Sequence, residues 1–197
     1  MHLEYFLTFL PGLIIGITFH EAAHAWSAML LGDRLAYSQG RVSLNPLKHL
    51  SPLGTLALFV LGFGWGRPVM VNLYNFKRPK FYYLLSSLAG PAANLLLCIV
   101  CMVILKFSTE ETPLIGFVEA TYLINGILMM LNLLPIPPLD GSKIWPCIIP
   151  GMRPISSSKW NMIWLGVVLV LVYSGVTDKV IYNMFQLLNK ALASIIL

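Results

Sequence analysis

The sequence predicts an all-α polytopic membrane protein with about four to six transmembrane helices and a re-entrant or β-hairpin segment near residues 53–74. Three observations carry that fold class. Of 197 residues, 57% are hydrophobic and 11% charged, well away from the composition of a soluble domain. The apolar residues gather in long runs, and the basic residues gather between the first two of those runs.

Leu3 to Leu31, Phe81 to Leu105 and Pro113 to Leu134 each reach the roughly 20 residues that a helix needs to cross a bilayer, and each reads as a span. Trp160 to Tyr173 is shorter and becomes a span if it starts a little earlier. Leu53 to Trp65 is apolar and rich in glycine but too short for a straight crossing, so it reads as re-entrant or interfacial. The tail, Val180 to Leu197, mixes Asn183, Gln186, Asn189 and Lys190 with apolar residues and either lies in the interface or adds one more poor span. With no internal repeat and no soluble appendage, residues 1–197 read as a single membrane-embedded domain.

Arg34, Arg41, Lys48, Arg67, Lys77, Arg78 and Lys80 all fall between the first and second full spans. Lys and Arg beside spans mark the cytoplasmic side, so the formal net charge of +5 reads as the topology of a multi-pass plasma-membrane protein and not as a nucleic-acid footprint. Glu110 and Glu111 are then outside, and Leu53 to Trp65 has to dip into the bilayer and return. The first run has no basic start and is too long for the core of a signal peptide, so it is expected to stay in the mature protein. Cys98, Cys101 and Cys147 imply no disulfide framework, and the first two read as small packing residues.

The chemistry sits in "FHEAAHAW", residues 19–26. Ionisable groups near the bilayer centre cost about 2.5–3.5 kcal/mol each on insertion scales and need a compensating partner. Residues four apart share a helix face, so His20 and His24 present two imidazoles to one metal ion, with Glu21 beside them to take a proton from a metal-bound water. A catalytic zinc usually has a third protein ligand. His2, Glu4, Glu110, Glu111 and Glu119 are poorly placed by depth. Asp140 is favoured, because "NLLPIPPLDG" ends an apolar helix in three prolines and turns at Gly141, and unwound backbone at membrane depth is tolerated where it lines a polar cavity. With Leu31 near the cytoplasmic surface, His24 and His20 lie roughly 10 and 16 Å deeper. The site is therefore expected to open toward the cytoplasm.

Beyond "HEAAHAW", the stretches "GRVSLNPLKHLSPLGTL", "GWGRPVMVNLYNFKRP", "LAGPAANLLL" and "NLLPIPPLDG" follow in order across most of residues 15–145. In these the chain resembles a short, bacterial-type member of the site-2 protease family of intramembrane zinc metalloproteases, without a PDZ domain. The resemblance implies one Zn(2+) per chain held by His20, His24 and Asp140, with Glu21 activating a zinc-bound water. The implied reaction is hydrolysis of a peptide bond within or near a transmembrane segment of a membrane-protein substrate. Ser51, where the family often has aspartate, and Ser142 and Lys143, where it has glycine followed by arginine or histidine, depart from the pattern without touching the implied ligands.

Five further positions are candidates. Asn94 either donates to the oxyanion or holds substrate backbone, or it joins helices at the small residues Ser86, Ala89, Gly90 and Ala93. Asn132 braces the proline-rich segment or a ligand, or it makes a hydrogen bond to unwound backbone. Val69 and Val71, after a glycine-rich turn, form either a strand edge that captures unwound substrate or an ordinary interfacial hairpin. His49 reads as a surface or turn histidine. Two other readings stay open, a divalent-metal membrane transporter and a catalytically inactive relative that binds membrane proteins. Two imidazoles and a carboxylate also suit iron or cobalt, and nothing in the sequence sets an oligomeric state.

Overall fold

The computed structural model describes residues 3–61, 64–108 and 112–152, then 163–164, 166–167, 170, 174–175, 182–183, 185–190 and 192. Among these the chain is helical: α1 (Leu3–Leu30), α2 (Leu35–Ser38), α3 (Pro52–Leu61), α4 (Pro79–Lys106), α5 (Pro113–Leu133) and α6 (Gly141–Ile148). The expected first three spans are α1, α4 and α5. Most of the expected fourth span and of the tail lies outside the described residues, as do His2, the Glu4 side chain, Glu110 and Glu111.

α4 and α5 are long and apolar enough to cross a membrane. Only 28% of the most apolar stretch of α4 and 39% of that of α5 is buried, less than is usual for the core helix of a soluble protein. α1 has the length, about 42 Å for its 28 residues, and its apolar run is interrupted by His20, Glu21 and His24.

The three long helices pack pairwise, and small residues set how closely. Gly12, Gly16, His20, His24 and Ala28 recur every four residues along α1, and all are buried on one face. A Cβ on Gly12 would meet Thr121, and one on Gly16 would meet Asn125, so α5 crosses α1 at that pair of glycines. On α4 the buried Ser86, Ser87, Gly90, Asn94, Cys98 and Cys101 follow the helical repeat. Cys98 joins Met129, Met130, Leu188 and Leu192 in an apolar cluster, so it packs and does not bridge.

The β-hairpin alternative for residues 53–74 is corrected. Pro52–Leu61 is a helix, and no strand occurs among the described residues, where the one pairing there is an isolated antiparallel bridge between Leu50 and Gly66. The chain does return on itself: a Cβ on Gly54 would overlap the Trp65 carbonyl, so Gly64–Gly66 runs against the first turn of α3. Residues 67–72 then continue without regular structure toward α4.

After α5 the chain folds back. Pro135, Pro137 and Pro138 lack the amide hydrogen needed to extend the helix. The returning backbone is tied by Ile136 N–H to Leu134 O at 2.8 Å and by Leu139 N–H to Ile136 O at 2.9 Å, and the Trp145 indole donates to Leu133 O at 2.8 Å. Gly141 fits against Leu133 and Leu134 because any Cβ there would overlap their carbonyl oxygens. Asp140, the residue before it, is thereby brought alongside α1.

Candidate active site

His20 and His24 reach from α1 past Gly90 of α4 to Asp140. The atoms His20 Nε2, His24 Nε2 and Asp140 Oδ2 lie 2.9–3.0 Å from one another, and all three residues are buried. These are the residues that the HExxH spacing and the proline-rich turn singled out.

The hydrogen bonds behind the imidazoles determine what they offer. Asn125 Nδ2 donates to Thr121 O at 2.8 Å, which orients its Oδ1 to accept from Asn94 Nδ2 at 2.8 Å. Asn94 Nδ2 also donates to Gly16 O at 3.2 Å, leaving Asn94 Oδ1 facing His20 Nδ1 at 2.6 Å. A carbonyl oxygen only accepts, so His20 carries its hydrogen on Nδ1. His24 Nδ1 faces Ser86 O at 2.7 Å, and the same reasoning applies. In the neutral rings both Nε2 atoms then present lone pairs, and with Asp140 Oδ2 they make three acceptors converging on one place. Such a set repels itself unless a cation lies among the three. Zinc bonds of about 2.0–2.1 Å in tetrahedral geometry would put ligand atoms about 3.3 Å apart, close to the spacing seen, so the donor set fits the ion.

The other Asp140 oxygen, Oδ1, accepts from Lys143 Nζ at 2.8 Å. This corrects the expectation that Lys143 leaves the implied ligands untouched: it takes up one carboxylate oxygen of Asp140 and leaves Oδ2 free to bind a metal ion.

Glu21 sits on the flank of the same helix face. Its Oε2 accepts from Val69 N–H at 3.0 Å, with Arg41 Nη2 3.9 Å away. Glu21, His20, His24 and Asp140 share a cavity of about 400 Å³ whose wall also includes Val69, Val71, Tyr83 and Asn132.

The structure places several candidates differently from the sequence reading. Asn94 is fully buried, and both its amide hydrogens are spent on Gly16 and Asn125, so none is left for an oxyanion or substrate. It joins α1 to α5 and orients His20. Asn132 donates to Leu128 O of its own helix at 2.9 Å and lines the cavity without bracing the proline-rich segment. His49 is not a surface residue. It has no exposed area, donates from Nε2 to Ser43 O at 2.7 Å, and its carbonyl accepts from Arg67 N–H at 2.6 Å. Burial lowers its pKa, with Arg41 and Lys48 adding to the shift and the Ser43 hydrogen bond opposing it.

Asn125, Arg41 and Asp33 went unnoticed. Asn125 had a signal, an amide inside an apolar span. Arg41 and Asp33 looked like loop charges, yet both are buried. Asp33 accepts from Asn72 N–H at 2.6 Å and Asn75 Nδ2 at 2.7 Å, which ties the approach to α4 onto the end of α1.

A family model described as "Peptidase family M50" matches residues 106–174, the stretch that contains Asp140. Three similar curated proteins each bear the printed name "Putative zinc metalloprotease". YwhC of Bacillus subtilis is 42% identical over 72% of this chain and 69% of its own length. Rip2 of Mycolicibacterium smegmatis is 31% identical over 84% and 67%. MJ0611 of Methanocaldococcus jannaschii is 30% identical over 80% and 83%. No solved structure gives a significant match. An HExxH face met by an aspartate from a proline-rich return, on a chain alike over these lengths, belongs to peptidase family M50, the site-2 protease family of membrane proteins.

Proposed function

We propose that the protein is an intramembrane zinc metalloendopeptidase that hydrolyses a peptide bond within or near a transmembrane segment of a membrane-protein substrate. One observation carries this reading: three converging acceptors, His20 Nε2, His24 Nε2 and Asp140 Oδ2, share a cavity with a carboxylate. His20, His24 and Asp140 would hold one zinc ion. When bound, zinc supplies Lewis acidity, making a water acidic enough to lose a proton near neutrality and polarising the scissile carbonyl.

The protein's own groups do the rest. Glu21 Oε2 is occupied by Val69 N–H, so Oε1 takes the proton from water and returns it to the leaving amine. Asn94 and Ser86 O hold the imidazole hydrogens on Nδ1, away from the metal. Val69 and Val71 present the backbone edge along which an unwound substrate strand lies, since a helical substrate has its carbonyls bonded internally. In the bilayer, α1, α4 and α5 would be spans of a multi-pass plasma-membrane protein. α3, about 15 Å long, would enter and return, and the cavity would open on the cytoplasmic side where the basic residues lie.

The test uses the full chain in detergent, with zinc content and cleavage of a synthetic transmembrane peptide measured together. The parent is expected to hold about one zinc per chain and to cleave. Glu21→Gln should keep the metal and lose cleavage, and His20→Ala should lose both. Cleavage undiminished in Glu21→Gln would move the base elsewhere. A parent that moves zinc across vesicles and cuts nothing would favour the transporter reading.

A further inference from the structure

The Glu21 carboxylate is held by a group outside the long helices, the Val69 amide, and Arg41 reaches both that segment and Glu21. Arg41 follows Gly40, whose φ of +66° turns the chain inward after α2, and Arg41 N–H bonds Ala36 O at 2.9 Å. The side chain then runs under the 66–69 segment with 4% of the residue exposed. Its Nη2 donates to Arg67 O, its Nη1 donates to Pro68 O at 3.3 Å, and Nη2 lies 3.9 Å from Glu21 Oε2.

One guanidinium reaches both Arg67 O and Pro68 O. Pro68 O and Val69 N–H belong to one planar peptide unit, so holding that carbonyl also holds the direction of the amide that donates to Glu21 Oε2. The opposite side of the segment is tied by Arg67 N–H to His49 O and by the Leu50–Gly66 bridge. Glu21 Oε1 receives no hydrogen bond among the described residues.

We infer that Arg41 is a positioning residue for cleavage: its guanidinium anchors the Arg67 and Pro68 carbonyls and so holds the Glu21 carboxylate with one oxygen bound and the other free. The inference rests on Glu21 being the base and adds what orients it. A lysine cannot substitute, because a single ammonium on a flexible stem does not fork across two carbonyls and a carboxylate.

The experiment compares the parent, Arg41→Met, Arg41→Lys and Arg41→Ala as full chains in detergent, with a fluorogenic transmembrane peptide as probe. Zinc per chain, kcat, KM and amide hydrogen exchange at residues 67 and 69 are read on each. Arg41→Met and Arg41→Lys are expected to keep zinc at the parental level and KM within about threefold, while kcat falls about 100-fold, the cost of misplacing a catalytic group by about an ångström. Exchange at 67 and 69 should rise at least tenfold. Methylguanidinium should restore kcat to Arg41→Ala where methylammonium does not. Parental kcat in Arg41→Met, restoration by lysine, or loss of zinc from Arg41→Met would each overturn the inference. If the parent holds zinc but cuts no probe, the protease reading fails instead. The exchange data then decide alone: protection at 67 and 69 retained in Arg41→Met overturns the anchoring, and its loss upholds it.

Discussion

Gly90 of α4 lies directly against His20 of α1: a Cβ built on Gly90 would stand 2.6 Å from His20 Nε2, and nearer still to His24 Nε2. The missing side chain is what leaves room for an ion. Alanine would otherwise favour the helix by about 1 kcal/mol, so Gly90→Ala should separate folding from function. We expect it to keep the helix content and detergent stability of the parent and to lose zinc, measured as metal per chain after gel filtration. Parental zinc in Gly90→Ala would show that the imidazoles converge elsewhere.

Asn94→Leu removes the acceptor that holds the His20 hydrogen on Nδ1. Zinc affinity should fall about 10–100-fold, the usual cost of losing such an outer partner, as read by competition with a chelator. A donor to the oxyanion would instead lower kcat with affinity unchanged, so the two roles give opposite results.

Proline at 69 and proline at 71 are not equivalent. Val69→Pro deletes the amide that binds Glu21 and disturbs base and edge together. Val71→Pro leaves that bond intact and removes one amide of the edge. If substrate pairs there, Val71→Pro should lower cleavage at least tenfold while zinc and the exchange rate at residue 69 stay parental. Unimpaired cleavage in Val71→Pro would remove the strand-capture role.

His49 gives the fold a pH dependence of known sign. Burial depresses its pKa below the ordinary 6.5, so the folded state prefers the neutral ring. The stability this contributes is complete above the unfolded value and is lost as pH falls through the lowered folded value. Thermal unfolding in detergent should therefore show declining stability below about pH 6.5, and His49→Gln should flatten that decline. A parent as steep as His49→Gln would assign the slope to another group.

The long helices and the metal ligands were legible because each breaks a strong local pattern. Runs of about 20 apolar residues have few alternatives to a span, and His20, Glu21, His24 and Asp140 are charged or polar where the surroundings are apolar. The partners of those ligands were harder to read. Asn94 was visible as a polar residue in a span, but whether its amide faced substrate or a neighbouring helix depends on Gly16 and Asn125, which are 78 and 31 residues away. Arg41 belongs to a group of basic residues whose shared reading was topological, and its burial follows from Arg67 and Pro68 lying over it. His49 does close a turn, after Pro46–Lys48, but its burial was not legible. The stretch around Pro52–Leu61 was read from its length as re-entrant or interfacial, and its helix was not legible because the glycines of Leu53 to Trp65 suggested turns, whereas Gly54 serves the close return of Trp65.

Asp140 stands 116 residues after His24 in the chain. A ribosome adding about 5–20 residues per second therefore makes the two histidines roughly 6–23 s before the aspartate that completes the set. During that interval the nascent chain holds an imidazole pair and a base without the third ligand, and it cannot bind metal in the finished geometry. The backward fold at Gly141 thus sets an order of assembly, in which the three acceptors can meet only after α5 and the proline-rich return have been made.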